Sequence, residues 1–302
     1  MPDPNFKDPN FKARTYTQEP GPAAMPFQRY AAECHAKLIN LLDREAPEPE
    51  VQCFLDRNPC LVPGAWTPGS PPGHYPLHCA LISQPRLPSL GSRQPDFMWL
   101  ATDSLTWYPT LIEIEAPSKR IFTASGVPCS KFTQARNQLA QWRNWFNTPT
   151  NVQQFMDSYR IPDTWRHAKT FRIHMILVYG RRQEFQDNPQ LSKQRGSLLP
   201  GADEELMSYD RLRADEKLKE AVTVRMGPSS RYCAIAVPPV FTLNPAVADR
   251  LLHVDGIEKA IDRCDGISVA RKKFLRHRLQ YWKTWAARPQ QGVIGGPDTY
   301  DE

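Results

Sequence analysis

The sequence predicts an α/β fold in which helices cover a mixed β-sheet. Apolar residues recur at helical spacing in some segments, and in others they alternate with polar residues or run without interruption, which separates helices from strands. These segments follow one another in the order helix, strands, helix, strand, and that order is typical of a sheet flanked by helices. With 302 residues, 40% of them apolar, the chain is large enough to bury a sizeable core.

Composition narrows the class of protein. The net charge of +6 permits a polyanionic partner, but it falls short of the basicity of a chromatin-type protein. The seven cysteines are odd in number and include no CxxC pair, which indicates reduced thiols rather than disulfides or a zinc knuckle. No apolar run approaches the ~20 residues that span a bilayer, and the N-terminus lacks the apolar core of a signal peptide. We therefore expect a soluble, cytoplasmic protein with no membrane partner.

The N-terminal part of the chain is rich in proline. Residues 1–26 carry a tandem DPNFK repeat and little periodic burial, so we expect a mobile arm. Helical periodicity predicts an amphipathic helix over residues 27–43 and a shorter one over residues 51–57, with Pro49 suited to the first turn of the second helix. Residues 63–95 are predicted to form loops around a single strand.

A β-hairpin is predicted near the middle of the chain. Asp96 precedes the apolar run 97–100, the ATDS segment that follows offers a turn, and the alternating residues 111–115 belong to the second strand. Beyond the hairpin, residues 130–146 are predicted to form a helix that Pro149 stops, with a stripe of glutamines beside its apolar face. The apolar run 171–180 predicts a buried strand.

The remaining sequence predicts an extension of this core. We take residues 27–185 as the core domain, residues 186–202 as a linker or insertion, residues 203–288 as a C-terminal extension and residues 289–302 as a frayed tail. Within the extension, the patterns predict a charged helix near 203–220, short strands at 221–226 and 231–237, and helical segments at 245–264 and 268–287.

The strongest chemical signal lies on the second hairpin strand. Because side chains alternate along a strand, Glu113 and Glu115 face the same side, with Cα atoms about 7 Å apart. At an effective dielectric constant of ~20, two such charges repel by roughly 2 kcal/mol, so a cation between them would be stabilising. Three carboxylates converge if the hairpin also brings Asp96 there, and hard oxygen ligands suit Mg²⁺ or Mn²⁺. The alternative is a solvated sheet face with ordinary salt bridges.

Several segments carry a resemblance to a known family, namely QCFLDRNPCLV, RQPDFMWL, TLIEIEAPSKRIF and ARNQLAQWRNWF. They resemble the PD-(D/E)XK nuclease superfamily, and specifically the Shedu family of bacterial anti-phage nucleases. The later segments MSYDRL, VPPVF and RKKFLRHRLQYWKTWA resemble the same family, so the likeness covers roughly residues 28–287. Each motif alone is weak, but four in order at fitting spacing are fairly specific. The resemblance implies a restriction-endonuclease-like PD-(D/E)XK core with a C-terminal α+β extension.

The resemblance also implies a set of metal ligands. Asp96 corresponds to the motif aspartate, and Glu113 corresponds to the acidic residue that binds the metal with it. The backbone carbonyl of Ile114 is implied as a third ligand. The implied metal is Mg²⁺, for which Mn²⁺ can substitute.

The sequence departs from the family motif at one position. The residue two positions after Glu113 is usually lysine, but here it is Glu115, which cannot supply the positive charge that orients the attacking water. Lys119, four residues further on, can swing back to supply it, and this is the interpretation we favour over a solvated loop lysine. Two alternatives stay open, in which Glu115 joins a second metal site or cleavage is lost.

Two helices offer further site residues by the same resemblance. Glu50 corresponds to a helix acid that often faces the active site, although Glu48 is a rival and acids at a helix start have an ordinary stabilising role. Gln138 and Gln134 lie where related nucleases place a glutamine near the scissile phosphate, with a merely polar helix face as the alternative. The basic helix 268–287 offers cations for DNA phosphates, or else a solvated face or an oligomer contact.

The function implied by the resemblance is metal-dependent DNA endonuclease activity in bacterial anti-phage defence. DNA of a phage or plasmid is the implied partner, and a homo-oligomer, specifically a tetramer, is the implied assembly. The rival hypothesis is a nuclease-derived DNA-binding or sensing module that no longer cleaves. Glu115 is the feature that keeps this rival open.

Overall fold

A computed structural model describes residues 16–69, 74–88, 90, 94–186, 188–198, 200–243 and 245–288. The helices are α1 (Phe27–Asp43), α2 (Glu48–Arg57), α3 (Ser130–Phe146), α4 (Pro149–Ser158), α5 (Asp163–Ala168), α6 (Gln183–Gln186), α7 (Pro189–Ser197), α8 (Ile257–Arg263) and α9 (Val269–Ala286). The strands are β1 (Ala80–Ser83), β2 (Phe97–Thr102), β3 (Thr106–Ile114), β4 (Thr170–Phe171), β5 (His174–Val178), β6 (Glu204–Met207), β7 (Val222–Gly227), β8 (Arg231–Ala236) and β9 (Val254–Asp255).

The strands of the described residues form one mixed sheet. Its order is β6-β5-β3-β2-β1-β7-β8-β9, and β4 pairs with β3. The β2–β3 hairpin is antiparallel, whereas β3 runs parallel to β5 and β1 runs parallel to β7. The predicted α/β class is therefore confirmed, and the strands of the C-terminal extension continue the same sheet on both sides of the central strands.

The hairpin places the acidic residues at one end of the sheet. Its turn is closed by Asp103, whose Oδ1 accepts hydrogen bonds from the backbone N–H groups of Leu105 and Thr106, each at 2.7 Å. The register then pairs Phe97 with Ile112. Asp96 consequently lies directly across the hairpin from Glu113, although the two are far apart in sequence.

Two apolar cores cover the two faces of the sheet. One core packs α1 and α2 against one face through Leu38, Val51, Leu55, Ile112 and Ile114. The other packs α3, α4 and α9 against the opposite face through residues such as Leu111, Leu139, Trp142, Leu177 and Trp282. Because neighbours along a strand point to opposite faces, Glu113 is directed toward α3 rather than toward α1 and α2.

Most elements lie where the periodicity predicts them, and the predicted helices at 27–43 and 130–146 match α1 and α3. Pro149 does more than end α3, because it also opens α4 at a position where proline fits a first helical turn. Residues 189–197 of the predicted linker form α7, with the Asn188 side chain accepting hydrogen bonds at its start.

The predicted charged helix at 203–220 is wrong. Residues 204–207 form β6, which pairs in parallel with the open edge of β5. Short 3₁₀ turns follow at Tyr209–Arg211 and Glu216–Leu218. Arg143 of α3 holds the start of β6 by ion pairs with Asp203 and Glu204. Strand pairing and these contacts override the helix propensity of the Glu- and Leu-rich segment.

The N-terminal residues 16–26 pack along α9 rather than projecting as a mobile arm. Arg278 donates a hydrogen bond to the Thr17 carbonyl at 2.6 Å, and Arg271 donates one to the Pro22 carbonyl at 2.7 Å. Arg271 and Arg278 are buried by these contacts. Two cations of the predicted basic helix, Arg271 and Arg278, therefore stabilise the fold. Residues 1–15 of the predicted arm and the predicted frayed tail, residues 289–302, lie outside the described part.

The seven cysteines are all free thiols, as their odd number and spacing predict. Of the helices in the described ranges, none is long and apolar enough to cross a membrane.

Candidate active site

The candidate site is built around the paired acids Asp96 and Glu113 at the ends of β2 and β3. The backbone N–H of Asp96 donates to the Ile112 carbonyl at 3.1 Å, which continues the hairpin ladder to its last pair. The Asp96 Oδ2 atom accepts a hydrogen bond from the Ile114 N–H at 2.9 Å. The side chain of Asp96 is thus tied to the strand that carries Glu113.

Glu113 is a buried acid that is only half satisfied. Its side chain is 8% exposed, and its Oε1 atom accepts a hydrogen bond from Nε2 of Gln138 on α3 at 2.8 Å. Its Oε2 atom is buried and has no hydrogen-bond partner within the described residues. A buried carboxylate oxygen without a donor is costly, so this atom marks a place where a cation or a proton would be stabilising.

Burial and mutual repulsion favour the protonated forms of both acids. Burial raises the pKa of Asp96 to about 7. The hydrogen bond from the Ile114 N–H opposes this shift, and the negative charges of Glu48 and Glu115 add to it. Burial, followed by the charges of Asp96, Glu115 and Glu48, raises the pKa of Glu113 well above its ordinary value. Near neutral pH the pair therefore holds protons that a divalent cation would have to displace.

The side chain of Lys119 reaches back to Glu115, the position at which this sequence departs from the family motif. Its ammonium forms an ion pair with the carboxylate of Glu115 and lies 3.6 Å from Oε2 of Glu48. Burial disfavours the charged ammonium, but the hydrogen bond and the charges of Glu115 and Glu48 prevail and raise the pKa of Lys119. A cation therefore lies beside Glu115, just beyond the end of β3.

The helix acid that reaches this cluster is Glu48 and not Glu50. The Glu50 carboxylate pairs with the guanidinium of Arg44 in an exposed position. Residues two apart on a helix point about 200° apart, so only one of these two acids can face the sheet end. We correct the assignment of Glu50 accordingly. Gln138 lies in the cluster through Glu113, whereas Gln134 is exposed.

The donor chemistry fits a hard divalent cation held by few protein ligands. In the described part of the chain, no three His, Cys, Asp or Glu side chains come together closely enough to hold a metal by themselves. Asp96 and Glu113 offer two carboxylates, one with an unpartnered oxygen. The Ile114 carbonyl points to the same strand edge as its N–H, which is the Asp96 side. Magnesium accepts such a set because it retains several waters.

Tyr209, for which the sequence predicts no role, contacts the same strand end. The hydroxyl of Tyr209, in the MSYDRL segment, donates to the backbone carbonyl of Glu115 at 2.7 Å. Tyr209 is fully buried, and burial together with the charge of Asp96 raises its pKa. Its neighbour Asp210 accepts hydrogen bonds from the Arg181 side chain and the Arg182 N–H. The only sequence signal was that this segment resembles the family.

Comparison with known proteins places the chain in a family. A family model described as "Shedu protein SduA, C-terminal" matches residues 45–212, which is more than half of the chain. A comparison with curated proteins and a comparison with solved structures each gave no match. The matched range begins at Glu45, just before α2, and ends at Leu212, so it contains every residue of the candidate cluster, including Glu48, Glu113 and Lys119. The chain belongs to the Shedu family.

Proposed function

We propose that this protein is a metal-dependent DNA endonuclease of the PD-(D/E)XK type that acts in bacterial anti-phage defence. Family membership implies the place in defence. The observation that best supports the chemistry is the pairing of half-buried Asp96 with buried Glu113, with an unpartnered oxygen on Glu113 and the ammonium of Lys119 close by. An acid pair beside a cation is the arrangement that metal-assisted hydrolysis of a phosphodiester needs.

Asp96, Glu113 and the Ile114 carbonyl would hold the ion, which is Mg²⁺ or, in its place, Mn²⁺. When bound, such an ion polarises the phosphoryl oxygens and lowers the pKa of a water molecule. Gln138 orients Glu113 by its hydrogen bond to Oε1, which leaves Oε2 as the atom that would bind the ion. Asp96 is oriented in the same way by the Ile114 N–H.

Lys119 takes the role of the missing motif lysine. Its ammonium supplies positive charge where negative charge develops on the phosphate during attack. Glu115 and Glu48 keep this ammonium protonated and directed toward the end of β3. Because the amine remains charged at neutral pH, it acts by electrostatic stabilisation and by orienting water, not as a general base.

The rival function is a DNA-binding or sensing module that does not cleave. One observation favours it, namely that Lys119 is already paired with Glu115 and lies near Glu48. If these contacts persist when DNA is bound, the two carboxylates neutralise the ammonium, and it stabilises a phosphate only weakly. Cleavage requires that the scissile phosphate compete with Glu115 for Lys119.

Partners and setting follow from the resemblance to other members of the family. We propose phage or plasmid DNA as the substrate, a homotetramer as the working assembly and the cytoplasm as the compartment. The nuclease core, residues 27–185, and the extension, residues 203–288, would act as one unit, since their strands share a sheet.

The test is cleavage of supercoiled plasmid and of linear DNA by the purified protein with Mg²⁺ or with EDTA. We expect Mg²⁺-dependent cleavage that is abolished in Glu113→Ala and reduced about 10²-fold or more in Lys119→Ala. Retained DNA binding without cleavage by the unaltered protein would establish the rival function. Full activity of Lys119→Ala would remove Lys119 from the mechanism.

A further inference from the structure

Lys119 belongs to a segment that has no regular secondary structure of its own. Residues 115–122, here called the Lys119 segment, leave the end of β3 and turn back, with the Lys119 N–H donating to the Ala116 carbonyl at 3.0 Å. Such a segment holds a side chain in one place only if neighbouring elements fix its backbone. The elements that do so are the end of β5 and the helix α6.

The first anchor is the close approach of Gly180 to the Lys119 segment. Gly180 follows β5 with φ of +64°, a conformation that favours glycine. A Cβ atom at this position would lie 2.8 Å from the Lys119 carbonyl oxygen, closer than real contacts allow. The backbone of Lys119 therefore rests directly on the backbone that ends β5.

The second anchor is the carboxylate of Glu184 on α6. Its Oε2 atom accepts a hydrogen bond from the Ile121 N–H at 3.0 Å, and its Oε1 atom accepts one from the Phe122 N–H at 2.9 Å. Ile121 and Phe122 are almost fully buried, so both N–H groups would lose their acceptor without Glu184. The ring of Phe185 also packs edge-on against Phe122, which reinforces the same junction.

We propose that Glu184 is a positioning residue that holds the Lys119 segment in place so that the Lys119 ammonium reaches the end of β3. Glu184 does not touch the metal ligands Asp96 and Glu113 by any contact seen among the described residues. It acts on the reaction only through the backbone that carries Lys119. The kinetic part of this inference rests on the proposed nuclease function, whereas the positioning itself does not.

A double-mutant cycle tests the kinetic part. We expect Glu184→Ala to lower the single-turnover cleavage rate about 10- to 100-fold, because small displacements of a charged group cost rates of this size. Glu184→Gln retains one carbonyl acceptor and should lose less. In the Lys119→Ala background, Glu184→Ala should cost less than about twofold, since the residue through which it acts is gone. Losses that multiply in the double variant would overturn the proposal.

Asp103 provides a matched control for the general cost of losing such a carboxylate. It also accepts two backbone N–H groups, but it does so at the turn of the hairpin, at the opposite end from the candidate site. Asp103→Ala should lower thermal stability while leaving the cleavage rate per folded molecule unchanged. An equal loss of rate in Asp103→Ala and Glu184→Ala would assign both effects to stability and contradict a positioning role.

A second readout does not require cleavage. Acylation of lysines by a succinimidyl ester, followed by peptide mass spectrometry, measures how firmly Lys119 is held, with the exposed Lys131 as internal reference. We expect Lys119 to react at least about threefold faster in Glu184→Ala than in the unaltered protein, because the amine leaves its acidic partners. Unchanged Lys119 reactivity would overturn the proposal even in a protein that never cleaves DNA.

Discussion

At the scale of single residues, the arrangement of Asp96 and Glu113 favours cation binding at the expense of the stability of the fold. Glu113 is buried, Asp96 lies half-buried beside it, and the Oε2 atom of Glu113 has no donor among the described residues. Such groups persist at functional sites because the fold elsewhere compensates for them. If they serve to bind a cation, the protein without that cation should be less stable than a variant that lacks the charge.

Isosteric amides test this trade-off. We expect Asp96→Asn and Glu113→Gln to raise the free energy of unfolding at pH 8 in EDTA by on the order of 1–3 kcal/mol, because each removes a carboxyl group whose ionised form the folded protein disfavours. We expect Mg²⁺ to stabilise the unaltered protein and the same substitutions to abolish that stabilisation. Denaturant titrations with and without Mg²⁺ measure both effects. The exposed Glu33→Gln serves as a control that should change stability by no more than ~0.5 kcal/mol.

The pH dependence of stability follows from the raised pKa of Asp96. Its carboxyl has a pKa of about 3.9 in the unfolded chain and about 7 in the folded protein. Between these values the folded protein binds more protons than the unfolded chain, so raising the pH destabilises the fold. In EDTA, the stability of Asp96→Asn relative to the unaltered protein should therefore increase from pH 4 to pH 7. A difference that stays constant across this range would show that Asp96 is ionised in the folded state.

At the scale of elements, helix geometry decides which acid of α2 serves the site. Glu48 lies near Lys119 at the end of the sheet, while Glu50 points away and pairs with Arg44. The sequence places both acids in the first turn of one helix but does not contain the crossing angle of α2 over the sheet. That angle depends on how Val51 and Leu55 pack against the strands, which is a tertiary property.

Paired substitutions on α2 distinguish the two acids. The charge of Glu48 raises the pKa of both Asp96 and Glu113, so Glu48→Gln should shift the acidic limb of the cleavage profile to lower pH by roughly half a unit to one unit. Glu50→Gln, two residues away, should leave the profile unchanged. Cleavage rates measured from pH 5.5 to 8.5 at saturating Mg²⁺ provide the comparison. A shift caused by Glu50→Gln instead would contradict the placement of α2.

Local sequence patterns were sufficient to predict the parts of the site that depend on residues close together in the sequence. Period-two alternation places Glu113 and Glu115 on one face, and a short turn makes Asp96 and Glu113 neighbours, so the hairpin and its acids could be predicted. The contacts of Tyr209 and Glu184 could not, because both join segments distant in sequence. β6 was missed for a similar reason, since its pairing with β5 is non-local.

At the scale of the whole molecule, the sheet does not end at the boundary of the family match. β1 lies between β2 and β7, and β7 follows Leu212, where the matched range stops. Residues of α9, including Leu275, Leu279 and Trp282, belong to the core that covers the α3 face. Residues 213–288 are therefore part of the same packed unit as the candidate site.

A truncated chain tests this unity. We expect residues 1–212 alone to aggregate or to unfold without cooperativity, because truncation leaves an edge of β1 unpaired and removes α9 from the core. Size-exclusion chromatography and thermal unfolding followed by circular dichroism measure the outcome, with the full chain as reference. A monodisperse fragment with a cooperative transition would show that the extension is a separate unit.

The central claim is that Asp96 and Glu113 give up a proton to bind one divalent cation. Calorimetric titration of Mg²⁺ or Mn²⁺ at pH 7, in two buffers of different ionisation enthalpy, measures affinity, stoichiometry and proton release together. The account predicts one ion per chain, net release of protons, since the Asp96 carboxyl is about half protonated at this pH and the pKa of Glu113 is raised well above its ordinary value, and loss of binding in Asp96→Asn and Glu113→Gln. Binding that releases no proton, or that survives in both variants, would contradict it.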